Sequence, residues 1–239
     1  MRDNSGKTPI WRAIADALRS DLAEGKYAPG DKLPTEAGLA ERFGVNRHTV
    51  RHGISALVEE GLIRTRRGSG AFVAATPTDY PIGQRVRFHE NLIAAGRRPD
   101  KRVLQVEVRS ATAGEAKALQ IAPGSPVCAY HGLSLADGQP IAVFESLFPL
   151  GRLTGIEEAL NQTSSVTEAL RLAGISDYTR ASTRLTAARA TATDALHLQV
   201  SEGDPLLKSS GVNVDDAGVP VEFGRTWFAG DRVTLTLEA

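Results

Sequence analysis

The chain has 239 residues, 41% of them hydrophobic, enough for one large domain or two modest ones. Its 28 Lys and Arg balance its 28 Asp and Glu, which excludes a strongly basic or acidic protein as a whole. A single cysteine, Cys128, excludes an intramolecular disulfide framework, and no apolar run approaches the ~18 residues of a membrane span, so a cytoplasmic protein is expected. The balanced charge hides an asymmetry: residues 1–76 hold 12 Lys and Arg against 9 Asp and Glu, and residues 77–239 hold 16 against 19. Any polyanion contact therefore belongs to the front of the chain.

Thr8-Pro9 suits a helix start, and Trp11, Ile14, Ala15, Leu18 and Leu22 follow at helical spacing to about Glu24. Tyr27 to Pro34 is a connector punctuated by proline and glycine, and Thr35 caps a short second helix through Leu39, Ala40 and Phe43. Gly44-Val45 turns into a third helix, with Asn46 at the N-cap and Val50, Ile54, Leu57 and Val58 on one apolar stripe. Its other stripe carries Arg47, His48, Arg51, His52 and Ser55. After Gly61 the pattern changes to a hairpin, with Arg66, Arg67 and Gly68-Ser69-Gly70 at its tip and Phe72 and Val73 returning. A basic helix followed by a basic hairpin fits a winged helix-turn-helix, in which the helix enters the major groove. An ordinary solvated basic face gives the same pattern for an isolated helix.

The run Pro29-Gly30-Asp31-Lys32-Leu33-Pro34-Thr35-Glu36, then Leu39-Ala40, Phe43 to Arg51, Glu60-Gly61-Leu62 and Gly68 to Val73, resembles the DNA-binding domain of GntR-type bacterial repressors. By that resemblance, operator contacts are expected from Asn46, Arg47, His48, Thr49, Arg51 and Gly70, and the candidate set also includes Glu36, Arg66, Arg67 and Ser69. Many members carry arginine after the glutamate of the second helix; here Ala37 stands there, so one contact to DNA is missing.

The expected domains are a winged helix-turn-helix over 1–74, a linker over 75–84 containing Pro77 and Pro81, and a back domain over 85–239. Arg85, Arg87, Phe88, Leu92 and Ile93 begin the back domain on a helix that Gly96 closes, and Val103 to Val108 alternates as a strand. An internal repeat follows. Leu119-Gln120-Ile121, Gly124, Pro126, Gly138, Pro140 and Phe148 recur as Leu198-Gln199-Val200, Gly203, Pro205, Gly218, Pro220 and Phe228, at an offset of 79 that slips to 80. Two copies of an αββ unit predict a pseudo-symmetric α+β domain with a mostly antiparallel sheet. Between the copies, Ser165 and Glu168 form a capping-box pattern, and a strand runs from Thr179 to Ala187.

In that strand the two-residue period puts Arg180, Ser182 and Arg184 on one face. Arginine forks suit phosphate, phosphonate and carboxylate groups, although pairing with surface carboxylates is the plainer reading. Glu145 and Arg225 occupy equivalent repeat positions, with Glu222 beside the latter; they either face a shared cleft or form a structural ion pair. Together with Arg85, Arg87 and Phe88, these residues complete the candidate effector-binding set.

Gly218 to Val233 resembles the effector-binding (UTRA) domain of the HutC branch of GntR regulators, which has a chorismate-lyase-like fold. Thr179 to Ser182, Val212 to Asp215 and Phe228 to Val233 look most like regulators of phosphonate metabolism. Several sugar-phosphate-sensing members carry an arginine near Ser134, and this chain does not. The resemblance implies a homodimeric repressor of double-stranded operator DNA, controlled by a small anionic effector, with no cofactor. An effector-independent architectural DNA binder and a lyase-like small-molecule binder are the alternatives. Against an enzyme, His48, His52, His89, His131 and His197 are scattered, Cys128 has no evident base, and Gly68-Ser69-Gly70 lacks the Lys-Ser/Thr of a phosphate loop. No metal site is expected.

Overall fold

In the computed structural model, α1 (Ile10–Ala23) buries Ile14, Ala15 and Leu18 against Val50, Ile54 and Leu57 of α3 (Arg47–Glu59), as the helical spacing of these residues requires. The structure describes residues 9–66, 68, 70–74, 77–83, 85, 87–163 and 165–237, without the side chain of Arg66. Two units result, Met1–Thr76 and Pro77–Ala239. Thr8, expected to cap α1, lies outside the described residues; Pro9 occupies the N-cap position and makes no side-chain cap bond.

Thr35 Oγ1 accepts the Gly38 amide at 3.2 Å to start α2 (Glu36–Phe43), and Gly44 ends it in the left-handed region at φ 64°. Asn46 Oδ1 accepts the Thr49 amide at 2.8 Å and starts α3. The hairpin is β1 (Ile63–Arg66) and β2 (Gly70–Val73). The proline-glycine connector is drawn onto it, since the Leu33 amide donates to Ala71 O and the Val73 amide to Asp31 O.

The second unit contains a six-stranded sheet in the order β4 (Pro99–Ser110), β5 (Pro126–Ala136), β6 (Gln139–Pro149), β9 (Pro220–Ala229), β8 (Pro205–Val214), β7 (Thr179–Arg189), antiparallel throughout. This is the α+β, mostly antiparallel architecture that the repeat predicts. Each half reads strand, helix, strand, strand: β4, α5 (Ala113–Leu119), β5, β6, then β7, α8 (Ala192–Leu198), β8, β9. The halves agree in detail. Thr112 and Thr191 open their helices with reciprocal caps to Glu115 and Asp194, and Gln120 and Gln199 close them, both at φ 54°.

One face of the sheet packs on α5 and α8, through Ala129, Leu147 and Phe223 for the first and Val143 and Trp227 for the second. The other face packs on α6 (Ile156–Gln162) and α7 (Val166–Leu172) through Cys128, Tyr130, Phe144 and Phe148. Leu92 of α4 (Phe88–Ala94) joins Tyr80, Ala142 and Phe228 in a neighbouring cluster.

Two local expectations are corrected. Part of the stretch read as a linker is a strand: β3 (Thr78–Pro81) runs parallel to β10 (Val233–Thr236), and Tyr80 is buried against Phe88 and Phe228. Its prolines do not oppose this, because Pro81 ends a strand whose other edge needs no donor. The capping box at Ser165 is half formed: Ser165 Oγ accepts the Glu168 amide at 3.3 Å, while the Glu168 carboxylate is taken by Arg171 at 2.6 and 3.0 Å.

Candidate functional site

In the first unit the apolar stripe of α3 is turned inward, which leaves Arg47, His48, Arg51 and Ser55 exposed on the other side. Glu36, at the start of α2, holds Arg51 in a two-bonded fork, with Nε donating to Oε1 at 3.0 Å and Nη2 to Oε2 at 2.6 Å. The Arg51 pair, and behind it the charge of Arg47, holds the Glu36 carboxyl below its ordinary range. Asn46 and Thr49 are bonded to each other, with Thr49 Oγ1 donating to Asn46 Oδ1 at 3.0 Å. His52 is stacked on Trp11 of α1, with ring centroids 4.3 Å apart. Gly70 starts β2 at φ 105°, a conformation that favours glycine. Arg67, Ser69 and the Arg66 side chain lie outside the described residues.

The second unit has a cavity of about 250 Å³ on the sheet face that also carries α7. Its floor is made from alternate residues of three strands: Phe144 and Ser146 of β6, Glu222, Gly224, Thr226 and Phe228 of β9, and Ser209 and Asn213 of β8. Glu222 is buried, and it accepts from Ser146 Oγ at 2.5 Å and Asn213 Nδ2 at 2.6 Å.

Two cations enter the cavity with no hydrogen-bond or ion-pair partner among the described residues. Lys101 Nζ lies 5.4 Å from the centre of the Phe88 ring and 5.3 Å from that of Phe144. Burial lowers its pKa to about 8, opposed by the charge of Glu222. Arg180 lies over Gly211, where a Cβ would collide with its guanidinium, and its Nε is buried and unbonded. Burial and the Lys101 charge also push His89 down. Arg87 reaches the cavity too, but its guanidinium donates to Asp177 at 2.8 Å and Glu90 at 3.3 Å.

Of the nine residues expected at an effector site, Arg87, Phe88, Arg180 and Glu222 therefore line the cavity. Arg85 does not; it is paired with Asp177 at 2.7 Å. Ser182 and Arg184 are on the opposite face of the sheet from Arg180, because a bulge between Arg180 and Ser182 inserts one residue and reverses the alternation. Glu145 and Arg225 are cross-strand partners at the junction of the two repeat halves, 2.9 Å apart on the face away from the cavity. Pseudo-symmetry makes equivalent residues neighbours there. The structural ion pair is the alternative that holds, in a network where Arg109 binds Glu115 at 2.8 and 3.0 Å and Arg225 reaches the same carboxylate. Cys128 is buried, and its thiol is pushed up to about 11 by that burial, so it is a core residue.

Residues 11–73 match the bacterial regulatory proteins of the gntR family, and residues 94–234 match the UTRA domain. The chain belongs to the GntR family. Within it, the chain is 38% identical over 230 residues to an uncharacterized HTH-type transcriptional regulator of Rhizobium meliloti (strain 1021), covering 96% of this chain and 94% of that one. It is 32% identical over 229 residues to the probable transcriptional regulator PhnF of Escherichia coli (strain K12), covering 95% and 94%. The crystal structure of PhnF from Mycobacterium smegmatis shares the fold, with a TM-score of 0.65 at 24% identity over 95% of this chain and 98% of that one.

GntR-family regulators bind operator DNA and UTRA domains bind small-molecule effectors, which places this chain among transcriptional regulators rather than lyases. In this GntR chain the residue that sequence reasoning missed is Lys101. The alternation that marks the strand starts at Val103, whereas β4 begins at Pro99, so Lys101 fell outside the expected strand, and period two alone does not say which face carries a cavity. Among the described residues, no helix is long and apolar enough to cross a membrane.

Proposed function

We propose that this GntR-family regulator is a homodimeric repressor of a roughly two-fold operator, and that a small acid of the phosphate or phosphonate class controls it from the cavity. The observation that carries the reading is the pair of unpartnered cations, Lys101 and Arg180, in the UTRA domain's own cavity. A desolvated ammonium between phenyl rings is expensive when empty and favourable once an anion arrives. The likeness to PhnF-named regulators supports a phosphorus acid.

On the DNA side, Arg47 and Arg51 are the candidate readers of the major groove, with His48, Thr49, Asn46 and Glu36 beside them and Arg66, Arg67, Ser69 and Gly70 at the wing. Glu36 would hold Arg51 in a fixed orientation and, being an anion, would keep that pair off a phosphate and on a base edge.

The test is fluorescence anisotropy on the chain's own upstream intergenic DNA at fixed salt, with phosphate, methylphosphonate and ethyl phosphate added in turn. Binding weakened by one acid and not by matched ionic strength is the expected result. The double variant Lys101→Met with Arg180→Gln should bind DNA normally and lose the response. A response that survives in that variant would remove the cavity from the mechanism.

A further inference from the structure

The two cations leave one charge in the cavity unexplained. Glu222 is 7% exposed, and its carboxylate is held by two neutral donors, Ser146 and Asn213, with no ion pair to any described residue. A carboxylate offers about four lone-pair sites, so these two bonds leave it half satisfied. A buried carboxylate held only by neutral groups is costly unless a cation completes it.

The protein keeps its own cations away. Lys101 is bracketed by Phe88 and Phe144. Arg180 faces Asn213 across the β7–β8 pair, and Asn213 faces Glu222 across the next, so an amide stands between guanidinium and carboxylate. The floor beside Glu222 is made of small residues, Gly224, Thr226 and Ser209, which leaves the carboxylate open to an occupant. Arg87 is already neutralised by Asp177 and Glu90. Lys101, Arg180 and Glu222 then sum to one positive charge, the complement of a ligand with a dianionic head and a single ammonium.

We infer that the occupant is bipolar: an acidic head taken by Lys101 and Arg180 and a primary ammonium taken by Glu222, as in a short aminoalkyl phosphate or phosphonate. This rests on the acid-binding reading above. The cavity, about 250 Å³, has room for a short aminoalkyl chain.

The experiment is isothermal titration of the full chain with 2-aminoethyl phosphate, ethyl phosphate and ethanolamine, repeated on Glu222→Gln. The expected result is that the aminoethyl compound binds about tenfold or more tighter than ethyl phosphate, the scale of one charge-assisted hydrogen bond. Glu222→Gln should shrink that ratio to below about threefold, and ethanolamine should not bind. Equal binding of the two phosphates by the natural chain would overturn the bipolar assignment and leave the acid-binding reading standing. Binding of neither would overturn both. The natural chain alone decides between these outcomes, should Glu222→Gln fail to fold.

Discussion

Lys101 carries its ammonium between two phenyl rings, and the same burial that lowers its pKa from 10.5 to about 8 ties the fold and the site to pH. Between pH 8 and 10.5 the unfolded chain binds the extra proton, so this group's contribution to stability rises with pH across that window. Below about pH 8 the full cost of charging a buried amine is present. An anion beside the ammonium reverses the cost. Acid binding should therefore strengthen as pH falls through about 8, and a phosphate ligand should begin to lose charge near its second pKa of about 6. In Lys101→Met the upper limb of this profile should flatten, acid affinity should fall, and the empty protein should melt higher, at about 2–4 °C per kcal/mol recovered. Titration calorimetry across pH 6–10 and a thermal melt of the second unit check this. A profile for Lys101→Met that still falls above pH 8 would assign the titration to another group.

At the level of elements, the site depends on where strands bulge and where they carry no side chain. Gly211 is the position that lets β7 and β8 close on each other: a Cβ there would lie 2.5 Å from Ser182 O and would strike the Arg180 guanidinium. Gly211→Ala must move either the backbone of β7 or the arginine. It should cost about 1–3 kcal/mol of stability, as overpacking does, and weaken acid binding because Arg180 is displaced; a melt and a titration on the same sample read both. The repeat made this sheet legible, since its glycines and prolines mark both αββ units, and the helical stripes of α1 and α3 marked the first unit equally well. The site was less legible. The bulge at Ala181 puts Ser182 and Arg184 on the wrong face, and no local pattern in Thr179 to Ala187 announces it. Glu145 and Arg225 were correctly paired by the repeat offset, but pairing across the junction of the halves says nothing about which face is open. Lys101 was hidden because the cavity is a property of the six sheet strands and the two helices, α4 and α7, that line it, not of the strand that carries the lysine.

For the whole molecule, control of DNA binding by a cavity ligand is a free-energy difference between two states, so the ligand can shift operator affinity only by the ratio of its own affinities for those states. Couplings of this kind are typically about 1–3 kcal/mol, roughly 5–150-fold. Linkage then makes a demand that no detail of geometry can relax. If saturating 2-aminoethyl phosphate weakens operator binding by some factor, operator-bound protein must bind 2-aminoethyl phosphate more weakly by the same factor. Anisotropy at a series of ligand concentrations gives the first factor, and titration of the ligand into the preformed protein–DNA complex gives the second. Agreement is expected with the full chain. The Lys101→Met, Arg180→Gln double variant should bring both factors to one together, because it removes the ligand's contacts without touching α3. If the ligand were instead competing at the DNA-binding surface, the apparent factor would grow without limit as ligand is added. A plateau is therefore the signature that separates control from the UTRA cavity from simple displacement of DNA by an anion.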